Sequence, residues 1–320
     1  MNKLLEIRNL SVVISEDTRV LVNDVSFEVK AGEAVGVVGE SGSGKTLSAL
    51  SILGLLARGL SIDSGEINFQ GKDLLKLSAE EMRSIRGNRI AMIYQDPMTS
   101  LNPVLKIGEQ LMEVLDSHKH RITDKKQHIL TGLAAVGIAD PDRAFESYPH
   151  EFSGGMRQRV IIAMSLLLSP ELLIADEPTT ALDVTIQRQI LALVARERKL
   201  RQMSMLWITH DLGVVANLVD RVIVMYAGRI VEVGTVEEIF RAPKHPYTAG
   251  LLASLPAADN NREKLASIPG VPPKPWQEVS NCAFAKRCSG AKDICFGHRP
   301  ELKSNQEASV ACFFPLGGMS

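Results

Sequence analysis

The sequence predicts an α/β fold: a parallel sheet with helices between its strands, an antiparallel strand region near the N-terminus, and a small cysteine-containing C-terminal extension. Three observations carry this. Short runs rich in Val, Ile and Leu recur as "EAVGVVG", "ELLIADEP" and "MLWIT", the mark of strands buried on both faces. A glycine-rich stretch, "GESGSGKT" from Gly39 to Thr46, lies between the first of these runs and the helical spacing of "TLSALSILGLL". All four cysteines fall in the last forty residues.

The chain has 320 residues, enough for one large domain with an appendage. Hydrophobic residues make up 45% and charged residues 23%, ordinary values for a soluble globular protein. A formal net charge of -1 and a pI near 6.7 give no general attraction to nucleic acid or to an anionic membrane. The N-terminal stretch "MNKLLEIRNLSVVISED" lacks the apolar core of a signal peptide. The most apolar run, "VIIAMSLLLSPELLIA", is broken by Pro170 and Glu171 before it could span a bilayer. A cytosolic chain is expected, reaching a membrane only through a partner.

Along the chain, "LLEIRNLSVVI" and "LVNDVSFEVK" alternate as strands of an antiparallel region. The buried strand "EAVGVVG" then leads into the glycines and the helix. An incidental Gly/Ser turn would explain the glycines alone. Strand, glycine turn and helix together give the pattern G-x-x-x-x-G-K-[ST] its mechanism. Gly39, Gly42 and Gly44 free the backbone to approach a ligand, so that successive N–H groups, with Ser41 and Ser43 among them, form an anion nest at a helix N-terminus. Lys45 reaches the outer phosphates and Thr46 offers its hydroxyl to Mg²⁺. The ligand expected is a nucleoside triphosphate.

Residues 108–168 read as largely helical. Within them "EFSGGMRQRV" places Ser153, Gly154 and Gly155 at a second bare helix N-terminus, which suits either a simple Ser153 cap or a second anion contact. One nucleotide needs only one such terminus per subunit, so this one is expected to face the γ-phosphate held by another subunit. "ELLIADEP" then ends a strand in two acids. Asp176 is placed to hold the Mg²⁺ shell and Glu177 to polarise a water for attack. "RVIVMYAGRIVEVG" reads as a hairpin with Gly228 in its turn. From Pro256 the chain turns proline-rich and loses periodicity, which sets domains at 1–255 and 256–320.

Taken together and in order, "GESGSGKT", "YQDPMTSLNP", "FSGGMRQR", "LLIADEPTTALD" and "WITHD" resemble the nucleotide-binding subunit of ABC transporters. The resemblance implies a P-loop NTPase ABC cassette with a RecA-like core, an antiparallel β subdomain and a helical subdomain at about 96–168. It implies that Gln95 joins the metal shell and senses the γ-phosphate. Ser153, Gly154 and Gly155 would cap the partner's ATP, Glu177 would be the general base, Asp183 would belong to the loop at the dimer interface, and His210 would be the switch histidine. The region after Gln95, "DPMTSLNP", is where the family docks its membrane subunits. Two departures stand out. Phe152 and Met156 flank the signature in place of leucine and glutamine. The segment "ISEDTRVLVNDVSF" lacks the aromatic that commonly stacks on adenine, so Arg19 or Val20 is expected to cover the base.

The C-terminal stretches "APKHPYTAGLLASLP", "LASIPGVPP" and "CAFAKRC" resemble the extension of ATPase subunits in dipeptide/oligopeptide importers, a group that includes nickel and glutathione uptake systems. That resemblance implies ATP-driven peptide uptake, with another small solute as the alternative. Its implied partners are a paralogous ATP-binding subunit, two transmembrane permease subunits and an extracytoplasmic solute-binding protein, with no nucleic acid. The chain would work peripherally at the cytoplasmic face of the inner membrane. A soluble non-transport ABC ATPase would carry coiled-coil insertions or a second cassette. Cys282, Cys288, Cys295 and Cys312 are spaced too widely for the usual zinc pairs. A [4Fe-4S] cluster suits them better, with zinc or unligated thiols as alternatives.

Overall fold

The computed structural model describes residues 2–95, 100–118, 122–180, 182–255, 267–274, 277, 279–305 and 308–317. The chain divides into two compact units, one made of residues 1–75 and 207–320, the other of residues 76–206. Four segments of the sequence reading lie outside the described residues: positions 96–99 of the expected membrane-subunit contact, Ala181, most of the proline-rich stretch, and the last three residues.

In the first unit, β1 (Lys3–Ile14) pairs antiparallel with β2 (Val20–Lys30), as the alternation predicts. The buried side chains Leu5, Ile7, Leu10 and Val12 face the core, and polar residues face out. The strand β3 (Ala34–Val38) is buried along its whole length and leads into α1 (Lys45–Ile52). β4 (Leu60–Phe69) pairs with the other side of β1, and the short β5 (Lys72–Asp73) ends that sheet, giving the order β2-β1-β4-β5.

The second unit opens with α2 (Ala79–Ile85), capped by a reciprocal pair in which Ser78 Oγ accepts from the Glu81 N–H and Glu81 Oε2 accepts from the Ser78 N–H. The strand β6 (Ile90–Ile93) follows, then the helices α3 (Ile107–Ser117), α4 (Lys125–Ala135), α5 (Pro141–Glu146) and α6 (Gly154–Leu166). Asp124 and Asp140 cap the second and third of these helices, and Pro141 occupies the first turn of α5, where its missing N–H is harmless. A Cβ on Gly108 would sit 2.5 Å from the Phe145 ring, so a residue without a side chain lets α3 lie close against α5. The buried strand β7 (Leu172–Asp176) runs parallel to β6, with Ile93 opposite Ala175, and the long α7 (Val184–Arg201) follows it.

β8 (Ser204–Thr209), fully buried, crosses the division between the units. Back in the first unit come α8 (Leu212–Val215), β9 (Arg221–Tyr226) and β10 (Arg229–Thr235). The last two form the expected hairpin, with Ala227 at φ 48 and Gly228 at φ 77 in its turn. The sequence did not show where this hairpin lies: β9 runs parallel to β3, with Val38 opposite Val224. After α9 (Val236–Arg241), α10 (Pro246–Ala253) and α11 (Asp293–Gly297), the short strands β11 (Lys303–Asn305) and β12 (Ala308–Val310) add to the free edge of β10. The order within this unit is therefore β11-β12-β10-β9-β3. The extension is thus continuous with the sheet, and Phe284, Ala308 and Val310 are buried in it. Among the described residues no helix is long and apolar enough to cross a membrane.

Candidate functional site

The phosphate-loop residues Gly39, Ser41, Gly42, Ser43, Gly44, Lys45 and Thr46 connect β3 to α1, at the end of the buried strand. Gly44 takes φ 97 as the N-cap of α1, and no side chain caps that helix. Its first N–H groups therefore point outward from a positive helix end, an arrangement suited to phosphate oxygens. At Gly39 a Cβ would run into the Met225 carbonyl, so the backbone turns there against β9. Ser43 is 3% exposed, and its Oγ has no hydrogen-bond partner among the described residues. A buried hydroxyl left unpaired is unfavourable, and a phosphate oxygen would satisfy it.

Lys45 is 5% exposed, and its Nζ donates to the carbonyls of Gly39 (2.8 Å) and Glu40 (3.0 Å). The ammonium is thus held across its own loop, close to where the outer phosphates of a nucleotide would lie. Thr46, half-buried in the first turn of α1, has a hydroxyl suited to a hard cation. Also in this unit, His210 is exposed directly after β8, and Asp211 caps α8 behind it through the Gly213 N–H. Arg19 lies between β1 and β2, where its guanidinium pairs with Asp17 at 2.5 Å. Any stacking on a base would have to leave or share that pair.

In the second unit, Asp176 ends β7 with 2% exposure, and Glu177 follows it. Gln95, exposed, stands two residues past the end of β6. Because β6 and β7 run parallel in register, the amide and both acids lie at the same strand end. These oxygen donors fit a divalent cation of the Mg²⁺ class. Glu177 has φ 46, a left-handed conformation that a side chain makes unfavourable, and Thr180 Oγ1 donates to its Oε2 at 3.1 Å.

Ser153 is the N-cap of α6, its Oγ accepting from the Met156 N–H at 3.3 Å. The simple cap considered from sequence is therefore present, and the exposed Gly154 leaves the helix end open beside it. Gly155 answers a packing need: a Cβ there would lie 2.8 Å from Ile186 of α7. Asp183 caps α7, accepting from the N–H groups of Thr185 (3.0 Å) and Ile186 (2.9 Å).

Cys282, Cys288, Cys295 and Cys312 line one cavity of about 180 Å³ in the first unit. None is in a disulfide. Burial raises the pKa of Cys282 and pushes that of Cys312 up to about 11, and the three other thiols nearby add to the Cys312 shift. Among the described residues no three His, Cys, Asp or Glu side chains close around a point for a single metal ion. The four thiols thus share one cavity, and their arrangement does not by itself support the expected [4Fe-4S] cluster.

Sequence reasoning overlooked one set of residues at this loop. Glu40, its second residue, is held by side chains from the C-terminal part of the chain. Arg287 contacts its carboxylate at 2.6 and 2.9 Å, and the Tyr247 hydroxyl accepts from its N–H at 2.8 Å. The signal available was a cation next to a cysteine, which does not point to a partner 247 positions away.

Two family models match the chain: "ABC transporter" over residues 22–180 and "Oligopeptide/dipeptide transporter, C-terminal region" over residues 231–295. The chain is 49% identical to the dipeptide transport ATP-binding protein DppD of Bacillus subtilis, across 92% of this chain and 89% of that protein. It is 49% identical to the oligopeptide transport ATP-binding protein OppD of Haemophilus influenzae, across 92% of each chain. Among solved structures, cbiO1 of Clostridium perfringens, part of the ABC transporter complex cbiONQ, matches with TM-score 0.66 at 25% identity, covering 76% of this chain and 92% of that one. The dimeric structure of MJ0796, a bacterial ABC transporter cassette, matches with TM-score 0.64 at 25% identity, covering 72% and 98%.

Proposed function

The chain belongs to the ATP-binding subunits of the oligopeptide/dipeptide ABC transporters, and from that membership we propose that it hydrolyses ATP to power uptake of di- and oligopeptides through membrane partners. The observation that carries the nucleotide part is the uncapped α1 terminus, where the unpaired Ser43 hydroxyl and the buried Lys45 ammonium lie together.

In this reading Lys45 and the loop N–H groups bind the β- and γ-phosphates. Thr46, Gln95 and Asp176 are the oxygen donors for Mg²⁺, which supplies charge neutralisation to the phosphates when bound. Glu177 orients a water and accepts its proton as attack on the γ-phosphorus proceeds, and His210 contacts the γ-phosphate. Arg19 or Val20, in the segment between β1 and β2 and at the start of β2, is the candidate to cover the base.

Ser153, Gly154 and Gly155 of one subunit cover the γ-phosphate bound by the other, and Asp183 serves the loop at that interface. ATP would then bridge two subunits until hydrolysis removes the bridge. The relative solved as a dimer supports this arrangement by likeness of fold. The partner is a paralogous ATP-binding subunit. Two permease subunits and an extracytoplasmic binding protein complete the importer, with this chain on the cytoplasmic face of the membrane. The boundary near residue 255 separates the cassette from the extension.

The cysteine cavity is assigned to a [4Fe-4S] cluster held by Cys282, Cys288, Cys295 and Cys312, which would staple an extension poor in core residues. Anaerobic purification tests this: four irons per chain with absorbance near 400 nm supports it, and a colourless zinc protein rejects it. The test of the hydrolytic reading is Glu177→Gln. That variant should accumulate an ATP-loaded dimer by size-exclusion chromatography, and normal turnover by it would reject the assigned base.

A further inference from the structure

Glu40 places a carboxylate inside a loop whose expected ligand is a polyanion. Its side chain is engaged by Arg287, which is 7% exposed and makes two parallel contacts, Nη1 to Oε2 at 2.6 Å and Nη2 to Oε1 at 2.9 Å. This two-point geometry is the strong form of a guanidinium–carboxylate pair. The guanidinium is itself fixed. Its Nε donates to the Pro269 carbonyl at 2.9 Å and Nη1 to the Tyr226 hydroxyl at 3.3 Å.

Arg287 immediately precedes Cys288 of the four-cysteine cavity. Phe284, three residues earlier, packs against Tyr226 and Tyr247 with ring centroids 5.4 Å away in each case. The backbone N–H of Glu40 is also held from the C-terminal part of the chain, where the buried Tyr247 hydroxyl accepts from it, while its carbonyl accepts from Lys45 Nζ of the loop itself. Every polar group of Glu40 is therefore engaged, and the side-chain and N–H contacts come from residues of the C-terminal part of the chain.

We propose that Arg287 is a positioning residue for nucleotide binding: it neutralises Glu40 at the phosphate loop, so that ATP affinity depends on the docked cysteine module. The inference rests on the phosphate loop being the ATP site. Without the guanidinium, Glu40 would stand as an uncompensated negative charge beside the incoming triphosphate. Lysine is a poor substitute, because an ammonium cannot make both contacts at once.

The test is a double-mutant cycle on the full chain with Arg287→Gln, Glu40→Gln and the double variant. Affinity for a fluorescent ATP analogue is measured at constant magnesium. Arg287→Gln should weaken binding by about tenfold or more, as expected when one member of a buried charge pair is removed. Glu40→Gln should leave affinity near wild type, and adding it to Arg287→Gln should restore most of the loss. In turnover the arginine variant should show a raised KM with kcat little changed.

Equal affinities for wild type and Arg287→Gln would overturn the proposal, as would a loss that Glu40→Gln fails to relieve. Denaturation of the same four proteins without nucleotide reads the clamp by itself. A failure of the nucleotide reading leaves that coupling intact, whereas a failure of the clamp abolishes it. Cys288→Ser extends the test: it should weaken ATP binding in the wild-type background and have no further effect in the double variant. An equal effect in both backgrounds would refute transmission through Arg287.

Discussion

The backbone of Glu177 offers a measurable separation of strain from chemistry. At φ 46 its Cβ crowds the backbone, at about 1–2 kcal/mol for a non-glycine residue. Ordinarily alanine is favoured over glycine by roughly 0.5–1 kcal/mol, because glycine loses more freedom on folding. The left-handed conformation reverses that order. Glu177→Gly and Glu177→Ala both lose the 3.1 Å hydrogen bond from Thr180, so this common loss cancels between them. What remains is the Cβ alone. The glycine variant should be more stable than the alanine variant by about 1 kcal/mol, measured as a difference in urea midpoint at unchanged slope. An alanine variant more stable than the glycine one by roughly 0.5–1 kcal/mol, the ordinary order, would show that the strand end is unstrained. The same proteins separate structure from catalysis. If the carboxylate is the base, neither variant turns over ATP, and the better-folded glycine variant gains nothing. Turnover surviving in Glu177→Gly would sink that role whatever the stability result.

Two further perturbations act on the contacts behind the phosphate loop. Tyr247→Phe removes the acceptor of the Glu40 N–H, and leaving that donor unpaired should cost about 1–3 kcal/mol in a denaturation experiment; an unchanged midpoint would dismiss the hydroxyl as a support. His245 is almost wholly buried, and burial lowers its pKa from 6.5 to about 4. Between these values the unfolded chain binds a proton that the folded chain refuses, so stability is fully present above pH 6.5 and falls as pH drops towards 4, by about 3 kcal/mol at most. His245→Asn should remove that sensitivity while its amide oxygen replaces Nδ1 as acceptor for the Tyr247 N–H. Glu232, which accepts from the N–H of His245, is common to both proteins. Denaturation at pH 7 and pH 4.5 gives the comparison, and equal acid losses in the two proteins would refute it.

What could be read from the sequence follows from how local each feature is. The phosphate loop was legible because eight neighbouring residues hold its glycines, cation and hydroxyl, and the periodicity on either side supplies strand and helix. The α6 start at Ser153 and the β9–β10 turn at Gly228 were legible for the same reason. Pairing between distant strands has no such local mark. That β9 lies parallel to β3, and that β12 joins β10, depends on which edges the chain closes onto rather than on the runs themselves. The short β6 was missed because four apolar residues are too few to establish a period, even between Gly87-Asn88 and Asp96-Pro97. Arg287 and Glu40 were hidden more deeply, since each is one charge among 36 basic and 37 acidic residues and nothing local marks the pair. The loop's own eight residues determine what it can bind. How firmly it is held depends on side chains some two hundred positions later, which the sheet and the docked extension bring back to it. Two chains with the same phosphate-loop sequence can therefore differ in ATP affinity through their C-terminal extensions alone.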